Sequence, residues 1–223
     1  ALAELAHSIG ALLVVDNSLL SPAGSQPLKH GADISVSSAT KAIDGHGRVM
    51  GGVLAGSEEL MTQVAMYCNS CGLAMSPFNA WQLLSGVETL SLRMEKQFDN
   101  ALKIAQWLQA QPQVQAVYYT GLPDHPQEAL IRKQQNGGGI VIGFEVADTD
   151  AAWKVVDSVE LFSRTANLGD VRSTITHPWT TTHGRMQSEE KLAANIRPGL
   201  VRLSVGLEYV DDLIDDLKQA LAR

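Results

Sequence analysis

Five consecutive apolar residues, Ala11-Leu12-Leu13-Val14-Val15, stop abruptly at Asp16-Asn17. An amphipathic helix spaces its apolar residues three and four apart, and a half-buried strand alternates them. An unbroken run of this length fits a strand buried on both faces, as in parallel sheets covered by helices. Residues 33–38, Asp-Ile-Ser-Val-Ser-Ser, read as a second, more alternating strand. Residues 51–56, Gly-Gly-Val-Leu-Ala-Gly, read as a third, short and bounded by glycines. Strands separated by helical or loop stretches predict an α/β sheet. Residues 1–9 read as the end of an amphipathic helix stopped by Gly10 at the C′ position. A chain that opens without Met, in the last turns of a helix feeding a buried strand, is expected to have residues upstream.

Further along, 58–71 reads as a helix, and Gly72 and Pro77 interrupt the pattern. Asn79 to Ala110 reads as one long helix or two abutting ones. Leu83, Leu84, Val87, Leu90, Met94, Phe98, Leu102, Ile104, Ala105 and Leu108 fall mostly at helical spacing. A domain boundary is expected inside this stretch, near Arg93. After it come a strand over Val114–Tyr119, a strand over Ile140–Val146, a helix near 149–158 and a brief strand at Leu161-Phe162. A strand over Leu200–Val205 and a closing helix over about 208–222 follow. Mixed in this order, these elements suit a small α+β domain.

Composition narrows the function classes. Apolar residues make up 45% of the 223 and charged residues 18%, enough core to exclude disorder. The net charge of −7, without a basic run, argues against nucleic acid or an anionic membrane surface as partner. No apolar stretch approaches the roughly 20 residues that span a bilayer. The first residues carry no basic start, so no signal peptide is read, and a cytoplasmic location is the default expectation. Cys68 and Cys71 form a lone C-x-x-C without a second ligand pair, which favours two reduced thiols over a zinc or redox site. No metal is expected. The first strand is not followed by G-x-G-x-x-G, so a dinucleotide site is poorly supported.

Asp16 ends a buried strand where α/β sheets place their ligands. There it would suit a pyridine nitrogen, or it would simply form the turn. Ser38-Ala39-Thr40-Lys41 ends the second strand with two hydroxyls and a lysine. Small donors at strand ends grip phosphate, and a desolvated lysine forms Schiff bases. The blander reading is a solvated lysine after a polar turn.

The longer string Asp33-Ile34-Ser35-Val36-Ser37-Ser38-Ala39-Thr40-Lys41-Ala42-Ile43-Asp44-Gly45-His46-Gly47 resembles the cofactor-lysine signature of the Cys/Met metabolism PLP enzymes. Val14-Val15-Asp16-Asn17-Ser18 resembles the strand with which that family presents its pyridine-binding acid. The resemblance implies Lys41 as Schiff-base lysine, Asp16 as pyridine-nitrogen partner, Ser38 and Thr40 as phosphate ligands, and pyridoxal 5'-phosphate as cofactor. Ala42 departs from the family, which usually carries a large residue there. Gly199-Leu200-Val201-Arg202-Leu203-Ser204-Val205-Gly206-Leu207-Glu208 resembles the family's C-terminal strand, whose arginine clamps the substrate α-carboxylate. That makes Arg202 the clamp rather than an arginine on a solvated edge.

Asn167-Leu168-Gly169-Asp170 stands where many members have Ser-Leu-Gly. An amide at Asn167 can donate the same bond to the substrate carboxylate. The run 167–178 with Thr180–Arg185, and Ser76-Pro77-Phe78-Asn79-Ala80-Trp81, resemble the branch acting on O-succinylhomoserine. Arg172 is then either a second cation for a succinyl carboxylate or a surface arginine. His177 and His183 read as structural histidines of a polar loop in preference to general bases.

By resemblance the fold is aspartate aminotransferase-like, fold type I. Residues 1–92 would be the C-terminal part of the cofactor-binding large domain, and 93–223 the small C-terminal domain. Family members also have a large N-terminal part, which supplies a glycine-containing phosphate loop, a tyrosine on the ring and a Tyr/Arg pair for the neighbouring subunit. The implied reaction is γ-replacement of succinate by sulfide, giving homocysteine. A small amino-acid substrate and a homotetramer of dimers sharing active sites are implied with it. The rivals are a cystathionine γ-synthase or γ-lyase, and a truncated, inactive fragment serving as a partner subunit.

Overall fold

The computed structural model describes residues 1–223. They fall into two compact units. One holds Ala1–Met94 with Arg132–Asn136, the other Glu95–Ile131 with Gly137–Arg223.

The first unit opens with α1 (Leu2–Ser8), closed at Gly10, whose φ of +71° lies in the left-handed region that glycine tolerates. Next come β1 (Val14–Asp16), α2 (Ser21–Gly24), a 3-10 turn over Pro27–His30 and β2 (Ile34–Ser38). A π-helical turn over Ala39–Ile43 leads to β3 (Gly52–Gly56), then α3 (Glu58–Ser70) and α4 (Pro77–Glu88). The sheet order is β1-β2-β3, with β1 and β2 parallel and β3 antiparallel to β2. Parallel pairing of Val14 with Ile34 and of Asp16 with Val36 brings the C-terminal ends of β1 and β2 to the same edge.

The apolar run before Asp16 is not buried on both faces. Leu12 is 54% exposed and Val14 53%, and β3 is exposed along most of its length. β1 has a single neighbour and forms an edge of its sheet, so the burial that its composition anticipates is not supplied within this unit. α3 shows how local sequence sets an element's ends. The Ser57 hydroxyl accepts the Leu60 amide, Glu58 and Glu59 favour the positive end, and Gly72 at φ +69° terminates it. Beyond the cap, the Leu73 amide reaches back to the Cys68 carbonyl at 2.8 Å, as in a Schellman motif.

α5 (Leu90–Gln109) follows α4 after Thr89, so the long helical stretch is two helices. The division between units falls inside α5, between Met94 and Glu95. The second unit adds β4 (Ala116–Tyr118), α6 (Glu128–Gln134), β5 (Val141–Glu145), α7 (Thr149–Ser158), β6 (Ser163–Arg164), β7 (Thr174–Thr176), α8 (Ser188–Ala193), β8 (Leu200–Ser204) and α9 (Val210–Leu221). Five strands are ordered β4-β5-β8-β7-β6. Ile142 and Phe144 of β5, Val201 and Leu203 of β8 and Ile175 of β7 point one way. They pack with Ile104 and Leu108 of α5, Val155 and Val156 of α7, and Leu213 and Leu217 of α9. The period of two in the strands and of three to four in α9 puts these side chains on one core.

α6, β7 and α8 leave no clear pattern in the sequence. The brief strand expected at Leu161-Phe162 forms two residues later, at Ser163–Arg164. The reason is a side chain distant in sequence: the buried Asp216 carboxylate takes the amides of Glu160, Leu161 and Phe162 at 2.8, 2.8 and 3.2 Å. Those amides are then not available to a ladder. No helix is long and apolar enough to cross a membrane.

Candidate active site

In the first unit, Asp16, Ser38, Thr40 and Lys41 gather at the ends of two adjacent parallel strands. The loops after β1 and β2 are tied together, because the Ser38 amide donates to Ser18 Oγ at 2.7 Å. The Ser18 hydroxyl and amide hold the exposed Asp16 carboxyl below the usual range, with the amide at 2.9 Å. Asp16 is therefore an anion at neutral pH, as a partner for a protonated ring nitrogen must be. Ser38 is anchored through its amide, which does not occupy its hydroxyl. The Thr40 hydroxyl is engaged differently: it donates to the Gly51 carbonyl at 3.3 Å and accepts the Gly51 amide at 3.1 Å. It pins the turn onto the start of β3, so Ser38 is the better placed of the two to meet a phosphate. Lys41, half-buried, sits within the π-helical turn with φ −88° and ψ −128°, outside helical values.

In the second unit, a polar face lies opposite the core. Arg202 of β8 pairs in register with Gly143 on one side and Thr176 on the other, and Thr174 and Ser204 share its face. Alternation along β8 buries Val201 and Leu203 and turns Arg202 the other way. Its guanidinium meets the Ala166 carbonyl at 2.8 Å, and burial pulls it below the ordinary arginine range. No carboxylate is bonded to it, which leaves most of a five-donor fork for an anion. Asn167 is next to Ala166, its carbonyl accepting the Thr174 hydroxyl at 2.8 Å. Arg172 is held otherwise. Its Nε and Nη2 both meet the buried Asp170 carboxylate, at 3.2 and 3.0 Å, and that pairing raises its pKa. A substrate anion would have to compete with Asp170 for it.

The loop that carries Asn167 and Arg172 is shaped by side chains that pattern reading passed over. Gln97 Nε2 donates to the carbonyls of Asp170 and Val205 at 3.0 and 2.8 Å, and Asn100 Nδ2 donates to those of Gly206 and Glu208. Glu208 accepts the Ser173 amide at 2.6 Å and its hydroxyl at 2.9 Å. A signal did exist: Gln97 and Asn100 fall at core-facing helical positions between Met94 and Ile104, and both are fully buried. Polar residues at core positions need partners, and here the partners are the backbone of the site loop.

His177 is fully buried, with Nε2 against the Pro198 carbonyl at 2.7 Å and Nδ1 against the Thr180 hydroxyl at 2.9 Å. Both ring nitrogens are occupied, which suits a structural part. His183 meets the neighbouring Thr182 hydroxyl. Burial holds the His177 imidazole below its ordinary range and outweighs the opposing effect of the Pro198 bond. The native state thus favours the neutral ring, and the unfolded chain binds the extra proton. The stability contributed here is complete above about pH 6.5 and drains away as pH falls through that value, by up to about 1.4 kcal/mol per pH unit. Urea midpoints measured between pH 7.5 and 5.5 should fall accordingly, with a flatter dependence in His177→Gln.

Comparison with known proteins bears on all of this. An O-succinylhomoserine sulfhydrylase of Pseudomonas aeruginosa is 51% identical over 223 residues, covering 100% of this chain and 55% of the relative. A chloroplastic cystathionine beta-lyase of Arabidopsis thaliana is 44% identical over 217 residues, 97% of this chain and 47% of that one. The crystal structure of cystathione gamma lyase from Micromonospora echinospora matches 99% of the chain and 58% of its own, with TM-score 0.95 and 37% identity. The fold is thus that of a pyridoxal-phosphate-dependent enzyme of fold type I, present in part. The family described as Cys/Met metabolism PLP-dependent enzyme matches residues 1–222, and the chain belongs to it. It spans about half the length of the curated relatives it matches.

Proposed function

We propose that this chain is the lysine-bearing part of an enzyme that replaces the succinyloxy group of O-succinylhomoserine with sulfide. The products are homocysteine and succinate. The observation that carries the reading is that Lys41, on its turn after β2, and an anionic Asp16, ending β1, follow the C-terminal ends of two neighbouring parallel strands. The groups present fit pyridoxal phosphate: a carboxylate to accept from the ring nitrogen, the Ser38 hydroxyl to donate to the phosphate and a lysine amine for the aldehyde. When bound there, the cofactor supplies an electron-withdrawing ring able to take up the electron pair left at the substrate α-carbon.

The side chains then have separable tasks. Arg202 grips the α-carboxylate through its fork and Asn167 adds an amide donor, which fixes the direction of the Cα–H bond. The Lys41 amine takes the α-proton and later returns one, while Asp16 keeps its ring partner protonated. Succinate leaves from Cγ and sulfide adds to the same carbon. Domain roles follow, with 1–92 belonging to the cofactor-binding large domain and 93–223 to the small domain. A homotetramer whose dimers share active sites is part of the same reading.

The 51% identity to a sulfhydrylase favours this reaction over its neighbours in the family. Product analysis tests it: the protein with pyridoxal phosphate and O-succinylhomoserine should release homocysteine with sulfide as donor. Cystathionine formed with cysteine, at a higher kcat/KM than homocysteine with sulfide, would transfer the assignment to a γ-synthase. Release of an oxo acid and ammonia without a sulfur donor would transfer it to a lyase.

A further inference from the structure

Arg93 is 5% exposed, yet no carboxylate is bonded to its guanidinium. Its donors go to neutral oxygens. Nη1 meets the Ala42 carbonyl at 2.8 Å, and Nη2 meets the carbonyls of Ile43 and Gly86 at 3.2 and 2.7 Å. Nε meets the Thr89 hydroxyl at 3.1 Å. Ala42 and Ile43 are the two residues after Lys41 in the π-helical turn. At the exit of the turn Asp44 N donates to Ala39 O and Gly45 N to Lys41 O.

The surroundings are cleared for this one cation. A Cβ on Gly86 would collide with the Ile43 carbonyl oxygen, and one on Gly45 with Arg93 Nη1. Asp44, fully buried two residues from Ala42, attracts Arg93 across space while bonding Arg48 directly, Nε at 3.0 Å and Nη2 at 2.9 Å. Burying a guanidinium is expensive, and an apolar side chain of the same volume would pack here at less cost. The position is occupied instead by the one side chain that can bind several carbonyls in fixed directions at once.

We infer that Arg93 is the positioning residue for Lys41: by clamping the Ala42 and Ile43 carbonyls it sets the direction in which Lys41 leaves its turn. This rests on the reading of Lys41 as the cofactor lysine. The clamp itself is a property of this chain's backbone and is measurable without cofactor.

Two measurements on Arg93→Met, Arg93→Lys and Thr89→Val test it. The first is amide hydrogen exchange with no cofactor added. In Arg93→Met the amides of Asp44 and Gly45 should exchange about tenfold faster, while those of Ile104 and Leu108 later in α5 stay as they were. The second is the rate at which pyridoxal phosphate and borohydride label Lys41, read by peptide mass. It should fall about tenfold in Arg93→Met and partly recover in Arg93→Lys, which keeps the charge and one bond but not the fork. Thr89→Val removes a single acceptor from Nε and should raise exchange at Asp44 and Gly45 about threefold. If Arg93→Met does not fold, the other two variants decide.

Exchange at Asp44 and Gly45 unchanged in any folded variant overturns the clamp. Faster exchange with an unchanged labelling rate overturns its bearing on Lys41. Label landing on a different lysine in the unaltered protein would instead defeat the reading of Lys41, and the exchange data would still decide the clamp.

Discussion

Replacing Lys41 by Ala is expected to remove covalent capture of pyridoxal phosphate and to lower turnover by about a thousandfold or more. On the proposed reading two roles disappear with one amine: the nucleophile that holds the cofactor and the base that moves the α-proton. General acid–base catalysis alone is worth about 10²–10⁴ in rate. Stability should barely change, because the side chain is only half-buried and lies outside the hydrophobic core. The measurement is an absorption spectrum with added cofactor before and after borohydride, followed by a sulfide-dependent assay. Turnover of Lys41→Ala within tenfold of the unaltered protein would remove Lys41 from the mechanism and would return Ser38-Ala39-Thr40-Lys41 to an ordinary polar turn.

Arg202→Leu is the second large effect. Arg202 projects from the face of β8 opposite Val201 and Leu203, so a leucine there leaves the core packing in place. What it removes is a half-buried fork bonded to the Ala166 carbonyl. Charge-assisted bonds are worth about 1.5–3 kcal/mol each, so losing a bidentate pair should lower kcat/KM by at least about a hundredfold. Arg202→Lys keeps the charge without the fork and should lose about tenfold. A substrate analogue with its α-carboxylate converted to an amide supplies the control. It should react poorly with the unaltered protein, and no worse with Arg202→Leu. An Arg202→Leu variant with KM and kcat both unaltered would place the carboxylate elsewhere, and Arg172 would then be the cation to examine.

Several elements were legible because their causes are local. The helix over 149–158 was predicted at its observed limits, where Asp148 accepts the Ala151 amide as a cap and Ala152, Val155 and Val156 form the buried stripe. The strand at Leu200 and the last helix were legible for the same reason: a clear period of two, then a clear period of three to four. Gly10 and Gly72 ended their helices where the pattern put them. Elements whose cause is a distant partner were not legible. α6, β7 and α8 are short and weakly patterned, and the start of β6 is set by Asp216, more than fifty residues away.

The site divides along the same line. The candidates for chemistry were readable, since a lysine after a strand of small hydroxyl residues, an acid closing an apolar run and an arginine within a strand are features of order and type. Their state was not. Whether Asp16 stays ionised depends on Ser18 folding back onto it, and whether Thr40 is available depends on Gly51 arriving beside it. Arg172 and Arg202 are indistinguishable as letters, yet one is held by Asp170 and the other lacks a carboxylate.

The amino-acid order by itself determined the types of the strongly patterned elements and membership of its family, because these depend on local pattern and residue identity. Only the tertiary structure decided how much of the first strand is buried and which cation is already paired. It alone decided that Arg93 grips the turn behind Lys41. Burial, ion pairing and carbonyl recognition are relations between residues that meet only when the chain folds, and no spacing along the chain encodes them.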